Sequence, residues 1–284
     1  MNSLRIYLNR QRRLRNFKAY LSEESLKGQN AFINIYSEEE IRKDKSKKKA
    51  TLTPFLIGKN KPSVIICPGG AYEFISYCNE GAEFAKAFNE KGFNAFVLAY
   101  RTDKNASYPA PFEDLARAVY YIKENSKSFD TDAGNFFICG SSAGGHLCSL
   151  FAANYKDFET DNRSLKPNAV VLTYPVVSMM TETHSLSRQL LIGKDLSDEN
   201  KRNKSAELIA TESYPPAFIW HCEDDDCVPV SNSKRLGNRL SEVGVNCKLC
   251  IYPSGGHGIG LAKGTSAEGW FDEAVNFINQ FTKK

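Results

Sequence analysis

Gly140-Ser141-Ser142-Ala143-Gly144 follows directly on the apolar run Phe136-Phe137-Ile138-Cys139, and a helix-like segment carrying Leu147, Leu150 and Phe151 comes straight after it. Alone, a G-x-S-x-G pentapeptide describes an ordinary Gly-rich turn. Between a buried strand and a helix it describes a sharp strand-to-helix turn, whose flanking glycines let the backbone close without a side-chain clash. Such a turn raises the serine hydroxyl above the edge of a sheet. The helix N-terminus behind it favours developing negative charge. Ser142 is therefore the candidate nucleophile.

The same alternation of strand and helix extends outward on both sides. Val64-Ile65-Ile66-Cys67 runs into Pro68-Gly69-Gly70, and a helical stripe at Gly81, Phe84, Ala85 and Phe88 precedes the apolar stretch 95–100. Leu115, Ala118, Val119 and Ile122 fall at i, i+3, i+4 and i+7. Past the serine turn come apolar stretches at 169–172, 217–220 and 248–252, then a helical face of Trp270, Ala274, Phe277, Ile278 and Phe281. Runs that are apolar throughout indicate strands buried on both faces. The expectation is an α/β fold, a mostly parallel doubly wound sheet with helices on both faces. Stretches 31–36 and 51–57 are expected to pair as an antiparallel edge, with a solvated lysine-rich loop between them. Residues 184–213 break the rhythm, being polar, charged and irregular, and are read as an insertion that caps the active-site edge rather than as a loose connection.

At 284 residues the chain can hold one large α/β domain, taken as 31–284, behind a basic segment 1–30. Leu4, Tyr7, Leu8, Leu14, Phe17 and Leu21 give that segment near-helical spacing. It is read as a helix docked on the body, with a subunit contact (hence a homo-oligomer) or a membrane-surface anchor as alternatives. The net charge of +4 is mild and comes largely from this segment and from Lys43 to Lys49, so a nucleic-acid footprint is not indicated. No stretch has the length and apolarity of a transmembrane helix, and no secretory signal is evident. Of the eight cysteines, Cys67, Cys139, Cys222 and Cys250 lie in strand-like runs, and Cys247-x-x-Cys250 has no second pair to complete a zinc site. Reduced thiols in a cytoplasmic protein, with no metal and no cofactor, are the expectation.

A serine needs a base, and the base needs an orienting acid. Of the four histidines, His257 stands in the glycine-flanked loop Ser254-Gly255-Gly256-His257-Gly258, just past a strand. His146, in the helix behind the serine, is assigned a structural duty, His221 a place in the core, and His184 a place lining the pocket. The acid is expected between nucleophile and base, after a strand. Glu223-Asp224-Asp225-Asp226 stands there, and Asp225, which opens D-x-x-V-P, is chosen, with Asp224 in reserve. Losing Asp224 or Asp226 is expected to matter little. The oxyanion donors are taken as the N–H of Ala143, directly after the nucleophile, and those of Gly70 and Ala71 in the loop after the earlier strand.

With these parts in place the chain resembles the α/β-hydrolases, and among them the bacterial acetylxylan-esterase-like and sugar-esterase proteins. The residues that carry the likeness are Cys67-Pro68-Gly69-Gly70-Ala71-Tyr72, the stretch 108–114, Cys139 to His146, Thr183-His184 with 190–193, the stretch 215–221, and 255–261. The resemblance implies Ser142, Asp225 and His257 as the triad, Glu80 in a motif behind the oxyanion loop, and Asp114 as a structural acid fixing a neighbouring loop. Tyr72, Glu80 and His184 are the expected pocket residues. Ala71 departs from the pattern by replacing a third glycine, which keeps the N–H but narrows the pocket. The implied activity is a serine carboxylesterase removing acetyl groups from carbohydrate or similar small esters through an acyl-enzyme. A peptidase or amidase, and a non-catalytic binding protein, are the alternatives.

Overall fold

The computed structural model describes residues 12, 14–18, 32–160 and 163–283. Eight strands form one sheet: β1 (Ile33–Asn34), β2 (Thr51–Phe55), β3 (Lys61–Cys67), β4 (Asn94–Ala99), β5 (Thr131–Ser141), β6 (Val170–Thr173), β7 (Ala217–Cys222) and β8 (Cys247–Tyr252). Their order is β1-β2-β4-β3-β5-β6-β7-β8. Strands β3 to β8 run parallel to one another, while β2 pairs antiparallel with both β1 and β4. The antiparallel edge therefore stands where it is expected.

Strict alternation within the apolar strands divides the core into two layers. Ile65, Phe96, Leu98, Ile138, Leu172 and Ile219 point to one face. Val64, Ile66, Val97, Phe137, Val171 and Trp220 point to the other. Helices α3 (Ala110–Glu124), α4 (Ser142–Asn154) and α8 (Ser231–Glu242) cover the first face, and α2 (Glu83–Glu90) and α9 (Trp270–Ile278) the second. Because β4, β6 and β7 are buried along their whole length, their sequences carry no polar alternation.

The lysine run does not form the expected loop. Ser37 and Glu40 make a reciprocal capping box that starts α1 (Glu38–Lys43), and Asp44 then caps a 3-10 turn over Lys45–Lys49. Lys47 sits 4.6 Å from the centre of the Tyr36 ring. Capping groups at both starts thus give order to a segment whose charge suggests solvated coil. Nearby, the fully buried Asp114 accepts from the Arg101 backbone N–H and guanidinium and from the Tyr36 hydroxyl, tying the β4–α3 connection to the sheet edge.

The stretch 184–213 is not irregular either: it folds into α5 (Ser185–Ile192), α6 (Asp198–Asn203) and α7 (Ala206–Ile209). His184 caps α5 and Ser197 caps α6, so local polar residues supply the helix starts. Of the basic segment, residue 12 and residues 14–18 are helical, and Phe17 is buried against Phe32 and Tyr77. Leu4, Tyr7, Leu8 and Leu21 lie outside the described residues. No helix among the described residues is long and apolar enough to cross a membrane.

Candidate active site

Strand β5 ends at Ser141, and Ser142 takes a φ of +52° before α4 begins. That left-handed turn costs roughly 1–2 kcal/mol for a residue with a Cβ, so its surroundings must hold it. They do so by close packing. A Cβ on Gly140 would collide with the Gly144 carbonyl, and one on Gly144 with the Cys67 carbonyl. The Val176 N–H binds the Ser142 carbonyl at 3.0 Å, and the Thr173 hydroxyl binds Ser141 Oγ at 2.7 Å. The turn at Ser142 is thereby locked to β3 on one side and β6 on the other.

His257 reaches this turn from 115 positions away, with Nε2 2.9 Å from Ser142 Oγ. Its Nδ1 lies 2.6 Å from Asp225 Oδ2. Because an ionised carboxylate only accepts, the proton sits on Nδ1 and Nε2 is left free to accept the serine proton. Asp225 Oδ1 receives the backbone N–H groups of Cys227 and Val228 at 2.9 and 2.8 Å. Burial by itself would raise the Asp225 pKa, but hydrogen bonds from His221 and His257 outweigh it and hold the carboxyl well below the usual range. These bonds favour the ionised form of the acid.

Two further residues bear on this group in ways the sequence reading missed. His221 is buried, as expected of a core residue, but its Nε2 lies 3.0 Å from the same Asp225 oxygen that faces His257. Nε2 is also 2.9 Å from the Val228 carbonyl, which can only accept, so Nε2 carries a proton and His221 donates. The available signal was the alternation of β7, which sends Ile219 and His221 to the opposite face from Trp220. Asp224 is equally engaged: its Oδ1 accepts the N–H groups of Gly255 and Gly256, both at 2.9 Å, and so anchors the loop that carries His257.

The loop after β3 supplies the opposite wall. Gly70 has φ +131°, Ala71 +58° and Tyr72 +59°. These turns leave Gly70 and Ala71 beside Ser142 in a pocket of about 200 Å³, whose lining also includes Phe74, Glu80, His184 and Cys227. Ala143 follows Ser142 in the first turn of α4, where backbone N–H groups have no partner within the helix. Glu80 Oε2 accepts the Gly69 N–H at 2.9 Å and Oε1 the Tyr174 hydroxyl at 2.8 Å, which braces the loop from behind. Burial raises the Glu80 pKa despite these bonds.

Tyr72 departs from expectation. It is fully buried, with its hydroxyl 2.9 Å from His146 Nδ1, and lies in the core rather than the pocket. Two consecutive left-handed residues reverse the chain and swing the ring inward, where it packs on Tyr100 and His146. His146 is also fully buried, its Nε2 2.8 Å from the Lys204 carbonyl. His184 does face the pocket, and its pKa is lowered by burial first and by His257 second. Among the described residues no group of three or more His, Cys, Asp or Glu side chains is placed to hold a metal ion.

Known proteins share this framework. The chain is similar to an acetyl ester-xyloside bifunctional hydrolase from Caldicellulosiruptor lactoaceticus, with 30% identity and a TM-score of 0.81 over 88% of this chain and 96% of that one. Its sequence is 35% identical over 215 residues to endo-1,4-beta-xylanase B of Butyrivibrio fibrisolvens, covering 73% of this chain and 34% of the relative. It is 30% identical over 204 residues to an acetylxylan esterase of Xylanibacter ruminicola, covering 70% of this chain and 41% of the relative. The chain thus spans between a third and about two fifths of the length of these two curated relatives. The BD-FAE family profile matches residues 39–240, from α1 into α8, and takes in the turn at Ser142, the loop after β3 and Asp225 after β7. On that match, and on a likeness that runs nearly end to end through a solved hydrolase, the chain belongs to the BD-FAE family and has the α/β-hydrolase fold.

Proposed function

We propose that this protein is a serine carboxylesterase that removes acetyl or similarly short acyl groups from carbohydrate or other small esters. The observation that carries the reading is the unbroken relay from Ser142 Oγ through His257 to Asp225, at 2.9 and 2.6 Å. Ser142 attacks the ester carbonyl while His257 Nε2 takes its proton. The N–H groups of Gly70, Ala71 and Ala143 receive the oxyanion, and their fixed geometry avoids reorganisation as charge develops. His257 passes the proton to the leaving alcohol, and water then repeats the sequence on the acyl-enzyme. Asp225 holds the imidazole tautomer throughout.

The pocket of about 200 Å³ supports a short acyl group, and the xylan-active relatives support a carbohydrate alcohol. Eight free cysteines, three of them buried side by side at Cys67, Cys139 and Cys148, support a reducing, cytoplasmic setting. A fluorophosphonate probe and a series of acetyl to octanoyl esters test the reading. The probe should label Ser142, and Ser142→Ala should lose labelling together with roughly 10⁴-fold or more of kcat. Acetyl esters should exceed octanoyl esters steeply in kcat/KM, since each misfit methylene costs about 1–3 kcal/mol. Labelling that persists in Ser142→Ala, or rates that climb with chain length, would sink it.

A further inference from the structure

A second cavity, of about 680 Å³, is lined by Tyr77, Tyr100 and Phe32 and by the four lysines Lys18, Lys48, Lys49 and Lys104. Tyr100 to Lys104 follow the carboxyl end of β4, and Thr51, also in the lining, pairs with Ala99 at the start of the antiparallel β2. The cavity therefore opens at the sheet edge from which Pro68 and Ser142 emerge, the edge where open α/β sheets bind ligands.

The two cavities back onto one strip of chain. Phe74 and Ser76 line the pocket that holds Ser142, while Ile75 and Tyr77 line the larger space. A wall one loop thick separates them. That wall is braced: the Tyr77 ring stacks on Phe17 at 4.8 Å, and the Tyr100 hydroxyl donates to the Pro68 carbonyl at 2.7 Å. Among the described residues the lining carries four lysines and one carboxylate, that of Asp103. Phe32 and Tyr77 are half-buried, where Tyr100 is fully buried, and offer apolar surface to a sugar ring, while cations of one sign select an anion. A small neutral ester would fill the inner pocket and leave this charge unused.

We propose that the lysine-lined cavity is an accessory subsite for an anionic sugar, and that the ester cleaved at Ser142 is borne by a carbohydrate with a uronic-acid branch. This rests on the esterase reading for its second half only. The branch lies across the Ile75–Tyr77 wall with its carboxylate among Lys48, Lys49 and Lys104, while the acylated residue of the same oligosaccharide sits at the nucleophile.

Calorimetric titration of the full chain tests binding apart from hydrolysis. The ligands are an ester-free xylo-oligosaccharide with one glucuronic acid branch, its unbranched counterpart, and inorganic phosphate. The branched sugar should bind about tenfold more tightly than the unbranched one at low salt, the size of a few screened charge contacts. That preference should shrink in about 0.5 M salt, and the Lys49→Ala/Lys104→Ala double variant should lose it. The salt comparison uses the unaltered protein and so decides the matter even if the variant does not fold. Equal affinity for the two sugars, a preference insensitive to salt, or phosphate binding with no discrimination between the sugars would overturn the subsite. Acetylated forms of the same pair should show the same ratio in kcat/KM. Failure to hydrolyse either of them and 4-nitrophenyl acetate as well would count against the esterase reading, while the titration would still decide the subsite.

Discussion

At Asp225 four donors converge on one carboxylate: two backbone N–H groups on Oδ1 and two imidazoles on Oδ2. His221 and His257 share Oδ2, so His221 is a positioning residue that acts on His257 through the acid. His221→Phe removes one donor from that oxygen and should lower kcat by about tenfold with KM unchanged, the size of one hydrogen bond to a charged group. His221→Gln, whose amide can still donate, should restore kcat in steady-state assays. A purely structural role would lower activity in both variants alike.

At the scale of elements, the loop between β8 and α9 must present His257 with little regular structure of its own. Asp224 holds its Gly255 and Gly256 amides, Asn79 Nδ2 donates to the Gly258 carbonyl at 2.8 Å, and Trp270 Nε1 donates to the Gly260 carbonyl at 3.1 Å. Asp224 therefore matters more than its place in an acidic run suggests. Asp224→Ala frees two amides bound by a charged acceptor, a loss of about 1.5–3 kcal/mol, and should lower kcat/KM by about ten- to a hundredfold. Asp225→Asn should lower it by several orders of magnitude, because the imidazole then adopts the wrong tautomer. Steady-state kinetics on one acetyl ester rank the two. Equal losses would show that both acids act on the imidazole directly.

Over the whole molecule, stability is coupled to pH through a histidine outside the Ser142–His257–Asp225 group. His146 lies fully buried between the Tyr72 hydroxyl and the Lys204 carbonyl, and burial pushes its pKa down from 6.5 to about 4. Between those values the unfolded chain binds a proton that the native state refuses, so stability falls as pH drops through that window. The loss should approach roughly 3 kcal/mol by pH 4, at 1.36 kcal/mol per unit. Asp225 acts in a different window. Its native pKa is depressed, so its contribution holds above the ordinary carboxylate range and is lost only at lower pH. Urea denaturation at pH 7 and pH 4.5 should show the drop, and His146→Gln should flatten it. An unchanged slope in that variant would place the proton uptake elsewhere.

What the sequence determined by itself is what local pattern can carry. Continuous apolar runs of strand length, helical stripes between them and a glycine-flanked serine at one junction specify a parallel α/β sheet and the strand-to-helix turn that carries Ser142. The reason is that strand burial and turn geometry depend on neighbours within a few residues. The tertiary structure alone decided what depends on distant segments meeting. Residue 257 reaches residue 142, two acids in one run take different partners, and His221 turns out to share the oxygen that His257 uses. Tyr72 turned inward because two successive left-handed residues aim it at a space that α4 creates. The lysine run became ordered because capping side chains outweighed its charge, and Lys48 and Lys49 came to line one cavity with Tyr100, which follows β4, and Tyr77, in the loop after β3. A side chain's direction and its company follow from the pairing of strands far apart in the chain, and that pairing has no local signature.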